Sequence, residues 1–267
     1  MRDDSSSWSP PDLSHVWKHL ADHGYAVVED WSIGLADDFL AKFHKKYFTN
    51  RKLRRDKGDW PRDRKRARDV IHYTWAGTRL RLREYATIAL TDRAGIKGTR
   101  LHKRIRILAD PTAVHLVRTL LCLVPPRRRQ PEGTFGVNFF RTFTDVVTKP
   151  HHDDEQFIIL YVMRRKGDGA RSYLYRIPEN SDPALPLDCD SPCELVLDRQ
   201  LNPGELLIFE DKLFEHGATP LIPAPDGTAM RDVLVCTVDY DETYLKDARA
   251  EQTSTVGTEF AMARGRD

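Results

Sequence analysis

The stretch Lys149-Pro150-His151-His152-Asp153-Asp154-Glu155-Gln156 runs directly into the apolar run Phe157-Ile158-Ile159-Leu160-Tyr161-Val162-Met163. A continuous apolar run of this length, bounded by polar residues, reads as a buried strand. His151 and Asp153 stand at its mouth, two residues apart, so in extended backbone their side chains point to one side and can share a metal. A second histidine, His216, follows another strand-like run, Gly204-Glu205-Leu206-Leu207-Ile208-Phe209-Glu210-Asp211. Arg231 then opens Arg231-Asp232-Val233-Leu234-Val235-Cys236-Thr237-Val238.

Two imidazoles and one carboxylate fill one face of an iron coordination sphere and leave three positions for oxygen and a chelating co-substrate. Neutral nitrogen and carboxylate oxygen donors suit Fe(II), and the open face separates this pattern from a closed structural site. Arg231 lies 15 residues after His216 and fits a bidentate clamp for a carboxylate, a task that arginine performs better than lysine. In the last strand, period-2 alternation puts Arg231 on one face with Val233, Val235 and Thr237. A guanidinium heading an apolar face is costly unless an anion pairs with it. His152 and Asp154 offer a competing His-x-Asp frame, and Phe157, six residues after His151, favours the first.

At 267 residues, the chain is long enough for one catalytic domain with a substantial core. Its 40% hydrophobic and 31% charged residues describe a globular protein rather than a disordered one. No apolar run approaches the roughly 20 residues that span a bilayer. The segment Met1-Arg2-Asp3-Asp4-Ser5-Ser6-Ser7 lacks the apolar core of a secretory signal, and four cysteines make no disulfide framework in a chain this long. The expectation is a cytoplasmic protein without a membrane segment. The net charge of +2 is unevenly spread, with 19 Lys or Arg against 6 Asp or Glu between Arg51 and Arg106. This region reads first as a solvated face, then as a site for an anionic substrate or a nucleic acid.

Residues 1–11 read as a mobile tail. Asp12 is a helix cap ahead of Leu13, Val16, Trp17 and Leu20, with Gly24 as the stop. Tyr25-Ala26-Val27-Val28 reads as a short strand, and Ser32 precedes a helix with Leu35, Phe39, Phe43 and Tyr47 on one stripe. Thr49 to Asp69 reads as a basic loop broken at Trp60-Pro61, and Val70 to Trp75 fits no class. Asp110-Pro111 starts the clearest helix, with Val114, Val117, Leu121 and Val124 on one face, and Pro125-Pro126 ends it. Arg127-Arg128-Arg129 reads as a solvated turn. From Phe135 the periodicity is that of strands, with Phe135, Val137, Phe139 and Phe143 sharing a face with Arg141. Gly167-Asp168-Gly169 reads as a hairpin turn that returns Arg171 to Ile177 against the preceding strand. Residues 178–192 form a surface excursion, Glu194 to Leu197 resumes the strands, Pro203-Gly204 turns, and Pro220 to Gly227 is a loop. Helices first and antiparallel strands later predict an α+β fold with a jelly-roll core. The expected division is 12–130 as helical prelude and basic region, 131–242 as jelly roll and 243–267 as a C-terminal extension.

The order His-x-Asp, His, then Arg on the following strand resembles the Fe(II)/2-oxoglutarate-dependent dioxygenases. Within that superfamily the chain is most similar to the bacterial free-amino-acid hydroxylase branch typified by L-isoleucine dioxygenase. The resemblance covers about 135 to 240. It rests on Val137-Asn138-Phe139-Phe140-Arg141, His151-His152-Asp153, Lys166-Gly167-Asp168-Gly169, Leu206-Leu207-Ile208-Phe209-Glu210-Asp211, His216 and Met230-Arg231-Asp232-Val233-Leu234, in the family's order. It implies a double-stranded β-helix of jelly-roll or cupin-like form with the N-terminal helices packed on one sheet. It also implies Fe(II) held by His151, Asp153 and His216, with 2-oxoglutarate as co-substrate bound through Arg231 and Arg141. The implied reaction consumes O2 and hydroxylates an unactivated C–H bond of a small polar substrate, a free L-amino acid or a derivative. Related halogenases carry Gly or Ala in place of the carboxylate ligand, so Asp153 favours hydroxylation.

Two other readings remain open at this point. The basic region suits a nucleic-acid demethylase of the same superfamily, but those enzymes carry a second arginine six residues after the first, where this chain has Thr237. The other is a jelly-roll binding module without catalysis, which four intact motif residues disfavour. Cys189 and Cys193 are at most half of a zinc site, Cys122 and Cys236 read as buried apolar residues, and Glu210-Asp211 is a candidate pair to orient His216.

Overall fold

The computed structural model describes residues 11–55, 64–84, 103–143, 150–153, 155–178 and 194–239. Helix α1 (Ser14–His23) buries Val16 and Leu20, and Gly24 ends it in the left-handed region at φ 80° with its N–H bonded to Leu20 O. Asp12 precedes the helix and accepts from Ser14 N–H at 3.0 Å. Strand β1 (Tyr25–Glu29) follows, then a 3-10 turn at Asp30–Ile33 and helix α2 (Phe39–Tyr47). Next come β2 (Lys65–Ala76), β3 (Arg79–Glu84) and helix α3 (Pro111–Cys122). Asp110 caps α3 by accepting from Thr112 N–H. The remaining strands are β4 (Glu132–Thr142), β5 (Phe157–Lys166), β6 (Asp168–Gly169), β7 (Ser172–Arg176), β8 (Glu194–Arg199), β9 (Glu205–Phe209), β10 (Phe214–Ala218), β11 (Leu221–Ile222) and β12 (Met230–Asp239).

Seven strands form one sheet in the order β1-β9-β5-β12-β4-β2-β3, and β10-β7-β8 form a second. Every pairing between these strands is antiparallel. Strands β4, β5, β9 and β12 are apolar on both faces because both faces of the large sheet are covered. On one face Phe135, Val137, Phe139, Ile159, Tyr161, Leu234 and Cys236 pack with the buried residues of α1, α2 and α3. On the other, Ile158, Val162, Leu207, Phe209 and Val233 meet Leu174 and Phe214 of the small sheet. Each fully buried side chain of this kind contributes about 1.5–3 kcal/mol. The result is the α+β class with an antiparallel jelly-roll core and helices on one sheet.

Several local expectations needed correction. The second helix starts at Phe39 rather than after Ser32, because Gly34 at φ 78° closes a 3-10 turn first. Lys65 to Asp69 is strand rather than loop: in Arg66-Ala67-Arg68 the charged residues occupy the alternate face, which hides the period from an apolar count. Gly167-Asp168-Gly169 is no hairpin between β5 and β7. The left-handed residues Gly167, Gly169 and Ala170 turn the chain out of the large sheet, and β7 pairs with β10 and β8. Within the Pro220 to Gly227 loop, β11 pairs with β6. Arg129 is not solvated: it donates to Val124 O and Cys122 O and stacks over Trp75. The Trp60-Pro61 loop, the excursion after Pro178 with Cys189 and Cys193, Asp154 and the C-terminal extension lie outside the described residues.

Candidate active site

His151 stands apart from the long strands but is tied to β10. Its N–H donates to His216 O at 3.2 Å, and His216 N–H donates to His151 O at 2.8 Å. This single bridge sets the two imidazoles side by side, with ring centroids 4.4 Å apart. Asp153 reaches both, with Oδ1 at 3.5 Å from His151 Nε2 and Oδ2 at 3.8 Å from His216 Nε2. One ligand atom from each residue lies within 4.8 Å of the others, the one such group among the described residues. Two nitrogens and a carboxylate oxygen converging on one point fit Fe(II), and the exposed Asp153 side leaves room for further ligands.

Asp211, at the head of the 3-10 turn Asp211–Leu213 between β9 and β10, is wholly buried. Its Oδ2 accepts from the backbone N–H of Asp153 at 2.8 Å and of Glu155 at 3.0 Å. Its Oδ1 lies 3.4 Å from His216 Nδ1. One carboxylate therefore fixes the loop that carries Asp153 and faces the far nitrogen of His216. That arrangement favours the tautomer with hydrogen on Nδ1 and the Nε2 lone pair directed at the metal position. Its neighbour Glu210 accepts a bidentate pair from Arg128. Neither acid is simply solvated.

Arg231, the second residue of β12, lies on the face shared with Val233, between the sheets. It is buried, and its Nη2 donates to Ser172 Oγ of β7 at 3.3 Å. No carboxylate pairs with it among the described residues, and burial together with the charge of Arg165 pushes its pKa down to about 10. Ser172 pairs with Ala218 and Leu174 with His216. Arg231 therefore meets β7 two residues along from the level of His216, roughly 7 Å at the strand rise. A five-carbon diacid spans such an interval.

A sequence model of the family described as 2OG-Fe dioxygenase matches residues 44–237. The chain belongs to that family. It is an Fe(II)/2-oxoglutarate-dependent dioxygenase, an enzyme that consumes O2 together with its organic co-substrate. Curated protein sequences give no significant match. Among solved structures, a bsmA homolog from Methylobium petroleophilum superposes at TM-score 0.67 with 18% identity, over 86% of this chain and 94% of that one. The Fe(II)/α-ketoglutarate-dependent dioxygenase TqaL gives 0.62 with 11% identity, over 85% and 86%. IDO from Bacillus thuringiensis gives 0.58 with 16%, over 86% and 99%. At these identities the likeness is one of fold.

In this dioxygenase His151, Asp153 and His216 meet, and Arg231 opens into the space between the sheets that adjoins them. Arg141 does not join them. It lies on the helix-facing side of β4, where Nε and Nη2 each donate to Asp232 at 2.7 Å and Nη2 also donates to Phe48 O. His44 Nε2 contacts the same Asp232 at 2.6 Å. Arg141 thus neutralises a buried carboxylate on the opposite face of the sheet from Arg231, and its expected contact with the co-substrate is corrected to this ion pair. Alternation carried this information, since Arg141 shares its face with Phe139, and Asp232 has the opposite parity to Arg231. Ser172 was missed because a lone serine in Arg171-Ser172-Tyr173 carries no signal of a pairing 59 residues away. No helix is long and apolar enough to cross a membrane among the described residues.

Proposed function

We propose that His151, Asp153 and His216 hold Fe(II), that Arg231 takes the far carboxylate of 2-oxoglutarate, and that the enzyme hydroxylates an unactivated C–H bond of a small polar substrate, a free L-amino acid or a derivative. The observation that carries the reading is the buried Arg231 guanidinium, without a carboxylate partner among the described residues, opening between the sheets beside three convergent metal donors. When bound, the iron and its co-substrate supply the oxidising chemistry: 2-oxoglutarate and O2 give succinate, CO2 and one oxygen atom that converts the substrate C–H to C–OH.

The chain's own residues then have distinct tasks. Asp211 holds His216 in the metal-binding tautomer and clamps the backbone of Asp153. Asp153 occupies the position that a halide would need, which favours hydroxylation. Ser172 and Arg231 fix the length of the acceptable diacid, and Val233, Phe209 and Leu174 keep water from the space between the sheets.

Support for an amino-acid substrate comes from the motif order and from the basic strands. Arg66 and Arg68 pair across from Phe140 and Asn138, on the side of β4 that faces Val233 and Val235. Arg68 Nη2 comes within 3.4 Å of where a Cβ on Gly136 would stand, beside Thr237 Oγ1. Arg79 and Arg81 are exposed on the outermost strand. Arg68 is therefore the preferred partner for a substrate carboxylate, as a fork that matches the group's geometry.

The test is succinate release by protein loaded anaerobically with Fe(II), then given 2-oxoglutarate, O2 and a panel of amino acids and nucleosides. Succinate stimulated by one amino acid, and lost in Arg68→Ala, supports the reading. Stimulation by nucleosides alone overturns its substrate half.

A further inference from the structure

Arg165 stands directly opposite Arg231 in the pairing of β5 with β12. Strict alternation along β5 would not put it there. Val162 faces the space between the sheets, so a regular strand would send Arg164 inward and Arg165 to the helix side. A register shift between Asp232 and Val233 changes this: Val233 pairs with Val162, whereas Asp232 pairs with Arg164 and Arg231 with Arg165. Met163 is the extra residue of a β-bulge, and beyond it the two faces of β5 exchange. Arg164 becomes exposed, and Arg165 turns to the side of Arg231.

The surroundings of Arg165 leave donors to spare. Its side chain is 16% exposed. Nη2 donates to Asn202 Oδ1 at a long 3.4 Å. Nη1 is buried and has no hydrogen-bond partner among the described residues. Among the described residues the carboxylate that it approaches is that of Asp168, which lies at 3.8 Å, is 74% exposed and also accepts from Gln200. Two guanidiniums thus face one another at the end of the jelly roll, both more than four-fifths buried, without a carboxylate hydrogen-bonded to either among the described residues. Such a pair is repulsive in a low-dielectric setting until an anion lies between its members.

We propose that Arg165 is the second arm of a two-guanidinium clamp, closing with Arg231 on the far carboxylate of a dicarboxylic 2-oxo acid. The proposal rests on the reading of Arg231 given above. It adds a specificity device: a bulge-placed arginine that makes a monocarboxylic oxo acid a poor ligand. Such a ligand would leave two like charges buried and unneutralised. Arg231 supplies one fork and Ser172 Oγ a further polar atom, while Arg165 Nη1 supplies a donor that no other described residue uses.

The experiment is calorimetry on Zn(II)-loaded protein, which binds ligand without turnover. It compares wild type, Arg165→Met and Arg165→Lys against two ligands: 2-oxoglutarate, and 2-oxopentanoate, in which a methyl group replaces the far carboxylate. Loss of a charged hydrogen-bond donor weakens 2-oxoglutarate about 10- to 100-fold in Arg165→Met, with 2-oxopentanoate unchanged. Arg165→Lys keeps the charge but not the fork and falls between the two, so it carries the test if the Met variant does not fold. Equal weakening of both ligands, or no weakening of either, overturns the clamp while leaving the Arg231 reading intact. Wild-type protein that binds no 2-oxoglutarate overturns both.

Discussion

Asp211 performs two jobs with one carboxylate, and substitutions can separate them. Asp211→Ala frees the Asp153 and Glu155 N–H groups and removes the partner of His216 Nδ1. Metal affinity, measured by competition with a chelator, is expected to fall about 10- to 100-fold, as for other residues that orient a ligand. Asp211→Asn can keep one of the two contacts and is expected to lose less. Arg231→Met removes a buried charge pair with the co-substrate and is expected to weaken 2-oxoglutarate by about 30-fold or more, with metal affinity unchanged. The His-x-Asp frame is also tested at this scale. His151→Ala is expected to abolish turnover and His152→Ala to retain it, whereas the reverse result would move the metal to the second frame.

Strand β12 connects the site to the body of the molecule through alternation. Arg231 goes to the space between the sheets, and Asp232 goes to the helix side, where Arg141 and His44 hold it. Asp232→Ala leaves the Arg141 guanidinium buried without its counter-charge, at a cost of about 3–5 kcal/mol in chemical denaturation. Gly24 is the second element-scale constraint. It ends α1 at φ 80°, and a Cβ there would lie 2.7 Å from Leu213 Cδ1, in the turn that begins with Asp211. Gly24→Ala is expected to cost about 1–2 kcal/mol from the left-handed backbone alone, and more if Leu213 cannot yield. Elements with an apolar period were legible in the sequence: α1, α3, β4, β5, β9 and β12 fall where the residues place them. β2 was not legible, because its second face carries Arg66, Arg68, His72 and Thr74, and burial of that face depends on neighbours distant in sequence.

At the scale of the molecule, the order of chemistry along the chain was more informative than any local pattern. His151 and Asp153 precede β5, His216 lies in β10 and Arg231 is the second residue of β12. The jelly roll sets the first three together and Arg231 against β7 two residues along from the level of His216. That His151, Asp153 and His216 converge, and that Arg231 is buried beside β7, was legible because residue type and order carried it. The connection from β5 to β7 was not, since a Gly-Asp-Gly turn reads the same whether the chain folds back or crosses to a second sheet. Arg141 and Arg165 show the same limit for side chains: one arginine looked like part of the site and faces away, while the other is turned inward by a bulge with no sequence signature. Because Fe(II) and 2-oxoglutarate bind the folded state, each is expected to raise the melting temperature. Together at about 100 times their Kd each adds roughly 2.7 kcal/mol, and a chelator reverses the gain. The most direct test of the central claim is an anaerobic titration with Fe(II) and 2-oxoglutarate, followed by visible charge-transfer absorption and equilibrium dialysis. Wild type is expected to bind one of each per chain, with Asp153→Ala and His216→Ala folded but unable to hold the iron. Equal iron binding by wild type and both variants, or no 2-oxoglutarate bound to the iron-loaded wild type, would contradict the site described.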